Sequence, residues 1–308
     1  MKLEVVCFGA LNVDKLYKVD RLAGADEESV ILDFKETPGG SAANTAVGLV
    51  RLGVKVGYIG KIAEDREGEF LLKSFIDEGV DTNGIIISKT GRSGSVIGFV
   101  DQKGRRALYL DPGVNDTLRY DEINLEYVRD AKILHLTSFA GEVPFEAQKK
   151  IVEKISEVKI TLDPGVIYAH KGLDALKPII KRCYAVLPSE GEVRLLTGKD
   201  YREGAETLLE EGANIVAVKL GERGCYVTDG CESHLIEPFK VEVVDTTGAG
   251  DAFCAGFIYG LLKGKNLKEC GLLGNFVASR CLTRMGARDG LPRLSDLPRD
   301  ICNFKDEM

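Results

Sequence analysis

The sequence predicts an α/β protein, built on a mostly parallel sheet with helices on both faces and carrying a small separate β-sheet. Three observations carry that expectation. From residue 54 onward, short apolar runs alternate with segments of helical spacing, the pattern of parallel strands joined by crossover helices. Two regions, 16–37 and 94–110, instead alternate apolar with polar residues, as strands with one exposed face do. No linker rich in Pro, Gly or Ser divides the 308 residues, so 1–308 is expected to be one domain, with lid segments at about 12–38 and 92–112 inserted in it.

Taken in order, residues 3–9 form an apolar run ended by glycine, a buried strand. Asn12 and Asp14 follow it two residues apart, so in an extended chain both side chains project to one side. Together they suit a polyol, and an Asx turn is the plainer alternative. Along 30–35, Val30, Leu32 and Phe34 stand against Ile31, Asp33 and Lys35, an exposed-face strand. Thr37-Pro38-Gly39-Gly40-Ser41-Ala42-Ala43-Asn44-Thr45-Ala46 then turns into a helix of small residues that stops at Gly53. Backbone at Gly39 and Gly40, with Asn44 one turn on, can touch a ligand; close packing of helix on sheet explains the same residues. Next come a strand at 54–60 and a helix at 66–79. A hairpin turning at Asp101-Gln102-Lys103-Gly104 occupies 94–110 and is expected to pair with the earlier alternating region. A strand at 133–136 and a helix at 144–156 precede strands at 160–163, 185–188 and 215–221.

In such sheets ligands bind beyond the carboxyl ends of the strands. Asn12 and Asp14, Ser189-Glu190-Gly191-Glu192, and Lys219-Leu220-Gly221-Glu222-Arg223-Gly224 all fall there, although strand ends also need turns and helix starts favour acids. The most suggestive stretch is Val244-Asp245-Thr246-Thr247-Gly248-Ala249-Gly250-Asp251, which opens an apolar helical run. A glycine-rich entry lets an anion rest on the unpaired amides of a helix N-terminus. Asp251 beside that anion can take a proton from an attacking hydroxyl; an ordinary Asp N-cap is the competing reading.

Composition removes several function classes. A formal net charge of −7 argues against a nucleic-acid surface as the main function. No apolar run reaches membrane-spanning length, and the first residues are too short and too charged for a signal peptide, so a cytoplasmic protein with a small-molecule partner is expected. Eight cysteines, at 7, 183, 225, 231, 254, 270, 281 and 302, contain no C-x-x-C pair, and the three histidines are scattered. Neither a zinc cluster nor a hydrolase triad is supported. No G-x-x-x-x-G-K-[ST] occurs, nor any G-x-G-x-x-G after a strand, which counts against Walker-type NTPases and Rossmann oxidoreductases.

Gly39-Gly40-Ser41-Ala42-Ala43-Asn44-Thr45-Ala46 and Asp245-Thr246-Thr247-Gly248-Ala249-Gly250-Asp251, in that order, resemble the two signatures of the ribokinase-like (PfkB) carbohydrate kinases, and the likeness runs along nearly the whole chain. The resemblance implies a three-layer α/β/α ribokinase-like fold with a β-sheet lid that excludes water. It implies transfer of the γ-phosphate of ATP, with Mg2+, to a primary hydroxyl of a furanose sugar or nucleoside. Asp251 then looks like the catalytic base, and the amides of Gly248, Ala249 and Gly250 like the anion hole. Asp14, Gly39, Gly40 and Asn44, with Asn12 nearby, match positions that hold sugar hydroxyls, and Arg105 and Asn115 lie on or beside the second lid segment. Lys219, Gly221 and Gly224 match a nucleotide loop, and Asn275 is expected near the base.

The family's N-x-x-E magnesium motif is here Ser189-Glu190-Gly191-Glu192. Glu192 is kept to hold Mg2+ through water, while Ser189 replaces the usual Asn. Asp245 and Thr247, with Met285-Gly286-Ala287, resemble a monovalent-cation site for K+. Ser41 stands where ribokinases proper carry Lys, which counts against ribose and leaves fructose-type sugars, other pentose derivatives and nucleosides. Val96, Phe99 and Tyr109 offer the lid an apolar surface, either for a base or for lid–lid packing in a homodimer. Two rivals remain: a ribokinase-like hydrolase of nucleoside-like substrates, and a non-catalytic nucleotide- or sugar-sensing protein.

Overall fold

The structure, a computed structural model, describes residues 2–103 and 105–298; Gly104 of the lid turn and Cys302 lie outside the described residues. In chain order the strands are β1 (Val5–Phe8), β2 (Asn12–Val19), β3 (Ile31–Gly39), β4 (Val56–Ala63), β5 (Asp81–Ser88), β6 (Gly94–Val100), β7 (Arg106–Asp111), β8 (Ile133–Thr137), β9 (Lys159–Asp163), β10 (Cys183–Val186), β11 (Ile215–Lys219), β12 (Cys225–Thr228) and β13 (Ser233–Ile236). Nine of them form one sheet in the order β13-β12-β11-β10-β9-β8-β1-β4-β5. It is parallel except for β12 and β13, which join antiparallel at the edge. β1, β4, β8 and β12 are buried along their whole length. That is the reason β1, β4 and β8 read as continuous apolar runs: helices cover both sheet faces, and an apolar core lies on each. The three-layer α/β/α architecture expected from the sequence is therefore present.

β1 lies inside the sheet, third from the β5 edge, with β4 on one side and β8 on the other. After β1 the chain builds outward to β4 and β5, then crosses over to continue from β8 to β11. Connections leaving β1 in opposite directions open a crevice at its carboxyl end. Ala10 to Asp14 emerge there.

The second sheet has the order β3-β2-β6-β7. Its register assigns the faces. Asp14 pairs with Thr37 and with Val96, and Val96 with Leu110, so these share one face with Leu16 and Lys35. Tyr17 pairs with Phe34 and Phe99 on the other face, which also carries Tyr109. Tyr17 stacks on both partners, with ring centroids 4.7 and 5.4 Å away. The expectation that Val96, Phe99 and Tyr109 form one surface is therefore corrected. Val96 shares the face of Asp14, whereas Phe99 and Tyr109 belong to an aromatic row on its back.

Two strand features departed from expectation for local reasons. β4 runs past Gly60 to Ala63, because that glycine is not a stop. A Cβ there would lie 2.7 Å from the Tyr58 ring and 3.1 Å from Leu11, so the missing side chain permits close packing within the strand. β5 and β13, absent from the sequence reading, are edge strands with half-exposed patterns, and β12 between β13 and β11 is a buried run of only four residues. Among the described residues no helix is long and apolar enough to cross a membrane.

Candidate active site

Two helices made of small residues build the centre. The Ser41–Arg51 helix and the Ala249–Leu262 helix approach so closely that a Cβ on Gly48 would lie 2.8 Å from that of Ala255. Close helix–helix contact, rather than helix–sheet packing alone, thus accounts for the small residues of the first glycine motif. The approach brings residues from far apart in sequence into contact. Asn44 Nδ2 donates to Asp251 Oδ2 at 2.8 Å, and Thr45 Oγ1 donates to the Asp251 carbonyl at 3.2 Å.

Both helices are entered through glycines at positions where a side chain would be strained and crowded. Gly40 has φ of 104°, and a Cβ there would sit 2.3 Å from the Ala10 carbonyl oxygen, which brings the helix start against the end of β1. Gly248 has φ of 78°, and its Cβ would be 2.6 Å from that of Ala287. With Gly248 left-handed, the chain turns sharply into the helix, and the first amides after it have no intrahelical acceptor. Such a terminus carries partial positive charge and suits an anion.

The carboxyl of Asp251 is pushed up to about 7, mainly by burial and further by the Asp163 charge, against the opposing effects of Asn44, Lys219 and Ser41. It is thus poised to exchange a proton near neutrality. Asp14 is likewise raised to about 6 by burial, with Arg288 pulling the other way. Gly39 leaves room for it, since a Cβ there would lie 2.3 Å from Asp14 Oδ2. Asn12 is held by Asn115, whose Nδ2 donates to Asn12 Oδ1 at 3.1 Å and to the Leu11 carbonyl at 2.8 Å.

The floor is a buried ionic group. Lys219 Nζ pairs with Asp163 Oδ2 at 2.6 Å, and Cys254 Sγ donates to the same oxygen at 3.3 Å. Burial opposes the lysine charge, but Asp163, Cys254 and Glu192 raise its pKa above the usual value. The ammonium lies against Gly250, where a Cβ would be 3.4 Å from Nζ. At the end of β10, Ser189 and Glu192 form a capping box: Ser189 N donates to Glu192 Oε2 at 2.7 Å, and Glu192 N donates to Ser189 Oγ at 3.3 Å. Burial, then the neighbouring Asp163, raises the Glu192 carboxyl. One carboxylate oxygen remains for a ligand. Ser189 is also bridged to Lys219 in parallel fashion, which sets the two strand ends side by side.

Asp245 stands at the back of the glycine turn. Its Oδ1 accepts from Thr247 N at 3.0 Å and from Thr247 Oγ1 at 2.8 Å, and its Oδ2 accepts from Gly286 N at 2.8 Å. Burial alone would raise this carboxyl, but those donors and Arg106 lower it. Among the described residues no three His, Cys, Asp or Glu side chains are grouped to hold a metal ion. The seven described cysteines are free thiols.

Asn12, Asp14, Gly39, Gly40, Asn44 and residues 248–251 are thus brought together by the contacts of Asp14 with Gly39 and of Asn44 with Asp251, and Ser189, Glu192 and Lys219 lie at neighbouring strand ends. Two expected residues stand apart. Arg105 is at the lid hairpin tip, where its Nε donates to Asp101 Oδ2 at 2.8 Å. Asn275 is buried and spends its Nδ2 on the carbonyls of Ile236 and Glu237, both at 3.1 Å. Gly221, with φ of 61° and open space around its Cβ position, is a turn residue beside Gly224. Two residues escaped the sequence reading. Asp163 ends β9, so the strand-end rule that singled out Asp14 and Lys219 would have found it. Arg288, whose Nε donates to Asn44 Oδ1 at 2.8 Å, follows no motif and carries no sequence signal.

The profile of the pfkB family carbohydrate kinases matches residues 2–294. An uncharacterized sugar kinase from Archaeoglobus fulgidus is 49% identical over 253 residues, which cover 81% of this chain and 100% of that protein. The solved ribokinase of Thermotoga maritima superposes with a TM-score of 0.86 at 27% identity, covering 95% of this chain and 97% of that one. An uncharacterized sugar kinase from Pyrococcus horikoshii, solved in complex with ATP, gives 0.81 at 29% identity, covering 95% and 96%. Because the family match runs through both glycine motifs and every strand of the large sheet, the chain belongs to the pfkB family of carbohydrate kinases, phosphotransferases that act on sugars.

Proposed function

We propose that this chain transfers the γ-phosphate of ATP to a primary hydroxyl of a furanose sugar or nucleoside, with Asp251 as base and the amides of Gly248, Ala249 and Gly250 as anion hole. The observation that carries the reading is the 2.8 Å contact between Asn44 and Asp251, which joins the two glycine motifs at the start of the second helix. Asp14 and Asn44, with the Nδ2 of Asn12 left to donate, hold the acceptor against Gly39 and Gly40. Asp251 takes the proton of the acceptor hydroxyl as its oxygen bonds to the γ-phosphorus, the bond to the bridging oxygen breaks, and ADP leaves with that electron pair. Positioning and stabilisation of the spread negative charge supply most of the rate enhancement. The nucleotide lies over Ser189 and the turn from Lys219 through Gly221 to Gly224.

The free oxygen of Glu192 and the Ser189 hydroxyl fit an outer hold on Mg2+ through water, an oxygen-only set that this ion favours. Bound there with ATP, Mg2+ neutralises phosphate charge. Asp245, Thr247 and the adjoining Gly286 backbone fit K+ on the far side of the anion hole. Phe34 and Tyr109 are exposed on the face of the small sheet that carries Tyr17 and Phe99. An apolar surface of this kind suits a second copy of the chain packed lid to lid. As an ATP-dependent sugar kinase, the protein is proposed to act in the cytoplasm.

An acceptor screen with γ-labelled ATP and Mg2+ across pentoses, hexoses, sugar phosphates and nucleosides tests the reading. Label on a furanose or nucleoside supports it, and label only in inorganic phosphate overturns it in favour of a hydrolase. The raised carboxyl also sets a pH dependence. Asp251 must be ionised to accept a proton, so kcat/KM is expected to fall about tenfold per pH unit below its pKa of about 7 and to level off above it. Initial rates from pH 5 to 9 measure this, and a flat profile through that range removes Asp251 as the base.

A further inference from the structure

We infer that Arg288 is a positioning residue for phosphoryl transfer: it locks the amide of Asn44 in the one orientation that presents Nδ2 to Asp251. The inference rests on the reading of Asp251 as the base.

An Asn amide has two faces of opposite polarity, and its flip is decided by its partners. Here each partner has a single polarity. A guanidinium only donates, and Arg288 Nε donates to Asn44 Oδ1 at 2.8 Å. An ionised carboxylate only accepts, and Asp251 Oδ2 takes Asn44 Nδ2 at 2.8 Å. Flipping Asn44 would set two donors face to face on one side and an oxygen against a carboxylate on the other. Without Arg288 only the Asp251 side of this preference remains, and it vanishes each time Asp251 gains the proton. Arg288 therefore holds the amide through the step in which the base changes charge.

The mounting of Arg288 fits this role. It is 7% exposed, and its guanidinium lies 5.8 Å from the centre of the Phe75 ring. Nη1 reaches Ser74 Oγ at 3.5 Å, and the Arg288 carbonyl accepts from Arg51 Nη1 at 2.6 Å. No ion pair within 4.0 Å involves Arg288 among the described residues, and its Nη2 is buried without a partner. A hydrophobic residue would avoid that desolvation, so packing alone does not account for a guanidinium here. The chain just before it is fixed to the anion hole, through Gly286 N on Asp245 and Ala287 against Gly248. One short segment thus braces the anion hole and, through Asn44, the base.

The test uses the full chain, ATP and whichever acceptor gives the highest turnover in the screen. Arg288→Met is expected to lower kcat about 10–100-fold, the scale of a misplaced reacting group, and to raise the KM of the acceptor while leaving that of ATP unchanged. Arg288→Lys, which keeps a charged donor, should recover much of the loss. In an Asn44→Ala background neither Arg288 substitution should cost anything further, because the residue through which it acts is gone. Wild-type kcat in Arg288→Met, equal rises in both KM values, or losses that multiply with Asn44→Ala overturn the inference. Should the Met variant fail to fold, the Lys variant with and without Asn44→Ala decides by the same criterion. Full activity in Asp251→Asn would instead mark failure of the base assignment.

Discussion

Replacing Asp251 by Asn is expected to lower kcat by about 10²–10⁴-fold, the usual worth of a positioned base, while acceptor and ATP bind nearly as before. The amide is isosteric with the carboxylate and retains an oxygen to accept from Asn44 Nδ2, so the hydrogen bond at 2.8 Å between the two helices survives. Only the ability to take a proton is removed. Stability should move the opposite way. The folded carboxyl is raised to about 7, above the ordinary aspartate value of 3.8, so the folded state holds its proton more tightly than the unfolded chain does. This contribution favours folding at low pH and is lost as pH rises through the folded value. The Asn variant carries no such dependence. Its Tm is expected to equal or exceed that of the wild type at pH 8, with the difference shrinking towards pH 4. Steady-state kinetics and thermal unfolding at both pH values check the pair of expectations. Near-normal kcat would remove the base assignment. A Tm well below wild type at pH 8 would show that the ionised carboxylate is stabilised rather than strained by its site.

Much of this arrangement was legible in the sequence because it is local. The glycines at 39, 40 and 248 announce backbone that must turn sharply or let another group come close, and the structure gives each a steric reason. The alternation of strands and helices fixes which residues sit at strand ends, so Asp14, Ser189 and Lys219 could be gathered from their positions alone. What stayed hidden depends on contacts across the chain. Asp251 meets Asn44 over a separation of 207 residues, and Arg288 meets Asn44 over 244, distances at which neither periodicity nor turn chemistry speaks. The strand-end position of Lys219 does not reveal that it is buried against Asp163; the parallel pairing through β10 and β9 brings the two together. The helix position of Asn275 does not reveal that the end of β13 passes over it and takes both its amide hydrogens.

Gly248→Ala should be the most damaging change that leaves every polar side chain of the site in place. A methyl group there meets Ala287 on three sides, at 2.6 Å from Cβ, 2.7 Å from Cα and 2.9 Å from the carbonyl oxygen, and two of these atoms are backbone that cannot swing aside. The left-handed φ of 78° adds a conformational cost of order 1 kcal/mol for a residue with a Cβ. The turn must therefore lift off residues 286–287, weakening the hold of Gly286 on Asp245 and re-aiming the amides of Ala249 and Gly250. Misdirecting one such donor costs about 10²–10³-fold in kcat, since its worth lies in being aimed before the charge develops. Backbone strain alone can be separated from this effect with a second glycine. Gly264, just past the end of the same helix, has φ of 67° but nothing within 4 Å of its Cβ position. Gly264→Ala should carry the conformational cost alone, with kcat unchanged. If both variants keep wild-type turnover, the glycine turn is a structural stop and the anion must be held elsewhere. If only Gly248→Ala loses it, and Asp251 still titrates near 7 in that variant, the amides and the base contribute separately to the same transition state.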